Sequence, residues 1–280
     1  DFCLSRGLGD VYKRQNTYSL QWDGTYHFAL ESYPMIQDWE LEKIAAFCHY
    51  ERMNHRQPQI ICKDQVIVTK INQYLKHNNR KPPFTPSHKK VASTYDVSGK
   101  AVYGDWLSHT CTVETAIAVF KSGKLLSAVK AFNRPAEELV KDSRNAAGDP
   151  ADYFNYVMLG WSNTTSGYRL AMERLIGHLP NDRELNELFI PGVSFHFSYE
   201  EVLAQDHYLF DGYHPAKVKN HLSLDALKAC IIPLDQASLF EAIIPEVLKA
   251  RCFYLPYHQE GLIEWTDSVY RFLVNLEMAD

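Results

Sequence analysis

A strand, a helix capped at both ends and a second extended run, all inside 27 residues, constrain this chain more than any other feature. The stretch is Trp106 to Phe132, W-L-S-H-T-C-T-V-E-T-A-I-A-V-F-K-S-G-K-L-L-S-A-V-K-A-F. Its apolar start ends in His109-Thr110. Thr112 is placed to cap a helix, and Glu114 suits the positive end of the helix dipole. Val113, Ile117 and Phe120 share one helical face by their i, i+4, i+7 spacing. Gly123 stands where a helix ends in a left-handed residue. Leu125-Leu126-Ser127 then reads as a strand or loop lying back against the first.

The rest of the chain is read outward from this unit. Thr25–Leu30 has strand composition, and Asp38 is placed to cap a helix over about 39–52 with Leu41, Ile44, Ala45 and Cys48 on one side. Gln59–Cys62 reads as a short buried strand. Asp64 then caps a helix whose apolar face holds Ile67, Ile71, Tyr74 and Leu75. Residues 16–78 therefore form a small α/β unit. Residues 79–95 form a basic, proline-rich linker. Lys76–Lys90 carries three prolines and seven basic or histidine residues, a composition for a solvated connection or a phosphate-contacting arm. Residues 96–280 make the main domain. In it, Pro135 opens a helix to about Ser143, Arg144–Asp149 is loop and Tyr153–Trp161 is a strand. A helix covers 168–179. Val193, Phe195 and Phe197 alternate with Ser194, His196 and Ser198. Strands are expected near 218–224 and 227–232, then a helix over 239–250 broken at Pro245, an extended 252–255 and a final helix over 262–276. The fold class expected is α+β.

Composition sets outer limits. With 280 residues the chain can bury a full core, and its net charge of -5 supplies no general attraction to nucleic acid or anionic membrane. No apolar run approaches the ~18 residues of a membrane span. Cys3, Cys48, Cys62, Cys111, Cys230 and Cys252 form no C-x-x-C pair and no metal-ligand spacing. They read as free, mostly buried thiols in a reducing compartment, so the expected location is cytoplasmic and no metal is expected. Asp1–Gln15 stands apart, because D-V-Y-K-R-Q resembles the translation of a transposase-adaptor end used in sequencing libraries. The expectation is that residues 1–15 are an adaptor artefact and that the natural start is missing.

The chain has no P-loop, no G-x-G-x-x-G, no H-E-x-x-H and no G-x-S-x-G. What carries chemistry is the unit itself. L-S-H-T-C-T-V-E-T-A-I-A-V-F-K-S-G-K-L-L-S resembles the first motif of the ADP-ribosyltransferase fold, as in the DNA-thymidine ADP-ribosyltransferase toxins and the NAD-dependent RNA 2'-phosphotransferases. That resemblance implies a mixed-sheet domain which cleaves NAD at the nicotinamide–ribose bond through a cationic, oxocarbenium-like transition state. It gives His109 a ribose hydroxyl, and Thr110 the adenosine side with nearby amides and Ser127. Tyr153 or Tyr156, the latter preferred, lies against the nicotinamide. Arg144 and Arg169 face the pyrophosphate. The carboxylate that would stabilise the developing charge is expected just before a late strand, but Lys219-Asn220-His221-Leu222 stands there, with Asp225 close by. Glu173, which could instead pair with Arg169 one turn away, and Glu200 or Glu201 are the fallbacks, Glu201 preferred.

Two rival readings accompany this one. The cleft could bind a nucleotide or protein partner without transfer. Alternatively, Asp211, His214 and Glu200/Glu201 could converge in a nuclease- or toxin-like site of another fold, although Asp211-Gly212 also suits a plain turn. The acceptor is open, with nucleic acid reached through the Lys76–Lys90 arm.

Overall fold

The computed structural model describes residues 2–5, 25–28, 30, 33–77, 84–85, 94–95, 101–102, 106–142 and 149–277. In chain order the first elements are β1 (Phe2–Ser5), β2 (Thr25–Phe28), α1 (Asp38–Met53), β3 (Gln59–Ile61), α2 (Gln65–His77), β4 (Thr94–Tyr95) and β5 (Ala101–Val102). The organising unit supplies β6 (Trp106–Cys111), α3 (Val113–Ser122), β7 (Lys124–Leu126) and α4 (Ala128–Phe132), and α5 (Ala136–Leu139) follows. Then come β8 (Tyr156–Trp161), α6 (Ser166–Ile176), α7 (Asp182–Asn186), β9 (Val193–Ser198), α8 (Tyr199–Leu203), β10 (Tyr208–Leu209), β11 (Ala216–Lys219) and β12 (His221–Ser223). The chain ends with β13 (Leu227–Pro233), α9 (Ala237–Phe240), β14 (Cys252–Leu255) and α10 (Gly261–Glu277).

The fold is α+β. Its main sheet has seven strands in the order β10-β11-β8-β6-β9-β13-β14, antiparallel throughout except for the parallel β13–β14 pair. β6 is the middle strand. Both faces of the sheet are covered. Leu107, Leu159, Phe195, Phe197 and Cys230 face a core closed by Ala116, Val119 and Phe120 of α3. On the other side, Trp106, Ala229 and Ile231 pack with Tyr168 of α6 and Trp265 of α10. Ser194 and His196 are therefore fully buried instead of forming a solvated polar face. His196 Nδ1 pairs with Ser162 Oγ at 2.9 Å, its Nε2 with Ser194 Oγ at 2.8 Å, and Ser194 Oγ with the Tyr168 hydroxyl at 2.7 Å. Burial is offset here by complete hydrogen bonding. It also lowers the His196 pKa to about 3, so the ring stays neutral.

The organising unit forms as its residues dictate. Thr112 Oγ1 accepts from Thr115 N at 3.3 Å, and Gly123 is left-handed with φ 69. The buried stripe of α3 is Ala116, Val119 and Phe120, with Val113 and Ile117 flanking it, a shift of one position from the expected face. Lys124–Leu126 does not lie on β6. It pairs antiparallel with β12, which the left-handed Asn220 (φ 67) breaks away from β11.

In the N-terminal part, β1 lies between β2 and β3, and α1 packs on α2 through Ile44, Phe47, Ile67 and Ile71. The cap of α1 is Gln37, whose amide donates to Glu40 at 2.7 Å; Asp38 is already helical. Asp64 does cap α2, accepting from Val66 N at 2.9 Å. β3 lies near the surface, not in the core. Residues 151–155 form a 3-10 turn, so the expected strand over 153–161 begins at Tyr156. Pro135 heads a helix that ends at Leu139, not Ser143. Residues 239–250 form no continuous helix: α9 ends at Phe240, and a 3-10 segment follows Pro245.

Candidate functional site

The middle of the main sheet opens at the residues that carry the sequence motif. β6 pairs with β9 along its whole length, from Trp106↔Ser198 to Cys111↔Val193. Its ladder with β8 consists of Leu107↔Trp161 and Ser108↔Gly160 alone, while β8 stays paired with β11 down to Tyr156. Beyond Ser108 the two central strands part. There the His109 imidazole, through Nδ1, meets the Met158 carbonyl oxygen at 3.1 Å. Ser108, His109 and Thr110 are partly exposed at mid-sheet, as are Tyr156, Met158 and Gly160. The parting leaves a notch in the strand pairing beside a polar side chain.

The chemistry of His109 follows from its partner. A carbonyl oxygen only accepts, so Nδ1 must donate the proton. Burial lowers the ring's pKa, the Met158 bond opposes this, and Arg174 nearby lowers it further. The ring is therefore neutral near pH 7, and Nε2 is an acceptor lone pair held in a fixed orientation. One wall of the notch is α6. A side chain at Gly167 would meet Thr110 Oγ1 at 2.8 Å, so the helix backbone lies directly on Thr110.

The other expected residues fall at different distances from this notch. Glu173 and Arg169 both lie on α6; Arg169 is buried, and Glu173 Oε2 is shielded from solvent without a hydrogen-bond partner. Tyr156 opens β8 half-buried, whereas Tyr153 sits on the preceding 3-10 turn, 2 % exposed. Ser127 heads α4; its amide donates to Asn220 O at 2.8 Å, and its hydroxyl is buried without a partner. Glu201 stands on α8 and pairs with Lys228 at 2.9 Å. Arg144 lies outside the described residues, as does most of the Lys76–Lys90 arm. Among the described residues no carboxylate hydrogen-bonds or ion-pairs with His109.

A second polar cluster joins α1 to the sheet, and its centre is a residue that sequence reasoning missed. Lys217, on β11, is 0 % exposed, with its Nζ 2.6 Å from Asp211 Oδ2. The ammonium also lies 3.1 Å from the Tyr153 ring centroid and 4.2 Å from that of Tyr50, which comes from α1. Asp211 Oδ1 accepts from Tyr213 N at 2.9 Å and His214 N at 2.7 Å, and its Oδ2 meets His214 Nδ1 at 3.0 Å. Burial alone would raise the Asp211 carboxyl, but Lys217 and then His214 overcome it and hold it well below the usual range. Burial draws the Lys217 pKa down against the attraction of Asp211. Beside this pair, Asp152 accepts from the Tyr50 hydroxyl and from Arg56 at 2.6 Å, and Arg56 also binds the buried Glu51 at 2.7 Å.

Asp211 and His214 therefore meet. Among the described residues neither Glu200 nor Glu201 hydrogen-bonds or ion-pairs with them, and Glu201 pairs with Lys228. The sequence held a faint signal for Lys217. In Ala216-Lys-Val-Lys219 the two lysines alternate alike, yet Lys219 is exposed and Lys217 is not. Asp211, Tyr153 and Tyr50 of α1, all distant in the chain, distinguish them.

Among the described residues no group of His, Cys, Asp or Glu is placed to hold a metal, and no helix is long and apolar enough to cross a membrane. Comparison with protein-family models, with curated proteins and with solved structures returns no match.

Proposed function

We propose that the chain uses the β6–β8 notch to bind NAD in the manner of an ADP-ribosyltransferase. The observation that carries this reading is the orientation of His109: neutral, with Nδ1–H committed to Met158 O and Nε2 turned to accept. Such an acceptor at the floor of a mid-sheet notch suits a ribose hydroxyl. Thr110 lies beside it under α6, and Tyr156 is the half-exposed aromatic at the start of the facing strand. The reading takes its family from the resemblance in the sequence alone. Arg169 takes the pyrophosphate, and Arg144 is assigned with it from the sequence alone.

For the carboxylate, Glu173 is preferred over Glu201. It lies on the helix that walls the notch, whereas Glu201 stands on α8 with Oε1 paired to Lys228; each of the two keeps one shielded oxygen without a partner. A shielded carboxylate oxygen costs free energy until it meets a donor or a cation. The second reading, nucleotide binding without transfer, is favoured by the lack of any acid bonded to His109 among the described residues. Cytoplasmic placement rests on the scattered cysteines, and a nucleic-acid acceptor on the basic arm.

The test is calorimetric titration of the full chain with NAD, with nicotinamide release followed in the presence and absence of single-stranded DNA or RNA. Saturable binding that falls at least about tenfold in His109→Ala supports the site, since one lost charge-free hydrogen bond is worth ~1 kcal/mol and an orphaned partner more. Release abolished by Glu173→Gln supports transfer, and binding without release supports the second reading. A folded chain that binds no NAD overturns the NAD reading.

A further inference from the structure

The last two strands of the main sheet hold a second reactive site, independent of the notch. β13 and β14 run parallel, with Cys230 directly opposite Cys252. Neighbouring strands lie about 4.8 Å apart. That spacing falls inside the ~4.4–6.8 Å range of Cα separations that a disulfide spans. Burial, and after it the nearness of Cys252, raises the pKa of the Cys230 thiol. Both cysteines are free.

Their surroundings differ in a way that assigns roles. Cys230 is 0 % exposed inside the core, and burial holds its thiol protonated, well above its ordinary pKa. Cys252 is half-buried, and it lines an open cleft of about 290 Å³ together with Glu241, Ile244, Lys249 and Tyr254. A small solute therefore reaches Cys252 and not Cys230. Cys111 neighbours Cys230 in the same core, but burial raises its thiol to about 12 and it does not line the cleft. Reactive cysteines are accessible ones with a resolving partner at hand.

We propose that Cys252 and Cys230 form a peroxide-reactive dithiol that closes into a disulfide between β13 and β14. The Cys252 thiolate attacks one oxygen of hydrogen peroxide. The O–O bond breaks, hydroxide leaves and takes a proton to become water, and Cys252 becomes a sulfenic acid. The Cys230 sulfur then attacks the Cys252 sulfur. The S–O bond breaks, the departing hydroxide takes the Cys230 proton, and a second water is released. Two thiols lose two electrons, and one peroxide is reduced to two waters. A dithiol reductant reverses the closure.

The experiment treats the full chain with hydrogen peroxide, then denatures it, alkylates the remaining thiols and maps the peptides. Of the six cysteines, two should escape alkylation and appear as a Cys230–Cys252 linked peptide that dithiothreitol releases. In the untreated folded chain, Cys252 should be alkylated ahead of Cys230 and Cys111. Cys252→Ser should keep all its remaining thiols under the same treatment. Cys230→Ser should give a Cys252 sulfenic acid that dimedone traps, with no cross-link. If that variant does not fold, the wild-type peptide map and Cys252→Ser still decide the matter. A linkage through Cys111 overturns the proposal. So does survival of every thiol under peroxide, or a Cys252 that alkylates no faster than the buried cysteines.

Discussion

Lys217 is the residue on which the joint between α1 and the sheet depends. A buried ammonium is tolerated only because Asp211 lies 2.6 Å away and two tyrosine rings face it. Its amine makes no well-directed hydrogen bond, so charge and ring faces hold it. Removing one partner of such a pair leaves the other charged and desolvated. Lys217→Ala should therefore lower stability by ~3–5 kcal/mol in urea unfolding. Asp211→Asn should cost a similar amount, and the double variant less than the sum of the two. A loss under ~1 kcal/mol for Lys217→Ala would mean that water reaches the pair, contrary to its burial.

At the scale of elements, the loop that follows β10 is docked on α1 by a glycine. Gly212 has φ +80, and a side chain there would strike the Lys43 carbonyl oxygen and come within 2.6 Å of Phe47 N. Gly123 has a similar φ of +69 but open space around it. The two positions separate backbone strain from steric exclusion. Gly123→Ala should cost ~1–2 kcal/mol, the left-handed penalty alone. Gly212→Ala adds forced separation from a helix backbone and should cost ~3 kcal/mol or more. Limited proteolysis should then find the region around α1 more open in that variant, and equal costs in the two variants would argue against the docking. The glycine at 123 was legible because a helix stop has a local signature. The need for glycine at 212 was not, because the atoms that require it lie about 165 residues earlier in the chain.

Over the whole molecule, two histidines with lowered pKa values shape the response to mild acid. His196 has a folded pKa lowered to about 3 by burial. An unfolded histidine titrates near 6.5. Between these values the unfolded chain binds a proton that the folded chain refuses. The stabilisation is complete above about pH 6.5 and declines as pH falls toward about 3, at ~1.4 kcal/mol per pH unit for one such group. His109, lowered for the same reason, adds in the same direction. Urea unfolding followed from about pH 7 down to about pH 5 should show this slope. His196→Leu should be less stable at neutral pH, because Ser162 and Ser194 lose their partner, and its slope should be shallower by about one proton. An unchanged slope in that variant would move the effect elsewhere.

Local chemistry determined much of this protein by itself. The caps of α2 and α3, the stop at Gly123, the strand 193–198 and the final helix all form near their expected places, because each depends on residues within a few positions of one another. The α+β class follows from that succession. Tertiary structure decided what no local pattern carries. It set β7 against β12 instead of β6, and it covered the polar face of β9 with α6 and α10. It closed α1 over Lys217, parted β6 from β8 at His109, and brought Cys230 beside Cys252. Each of these joins residues far apart in the chain, and their free energy exists only once both partners are in place.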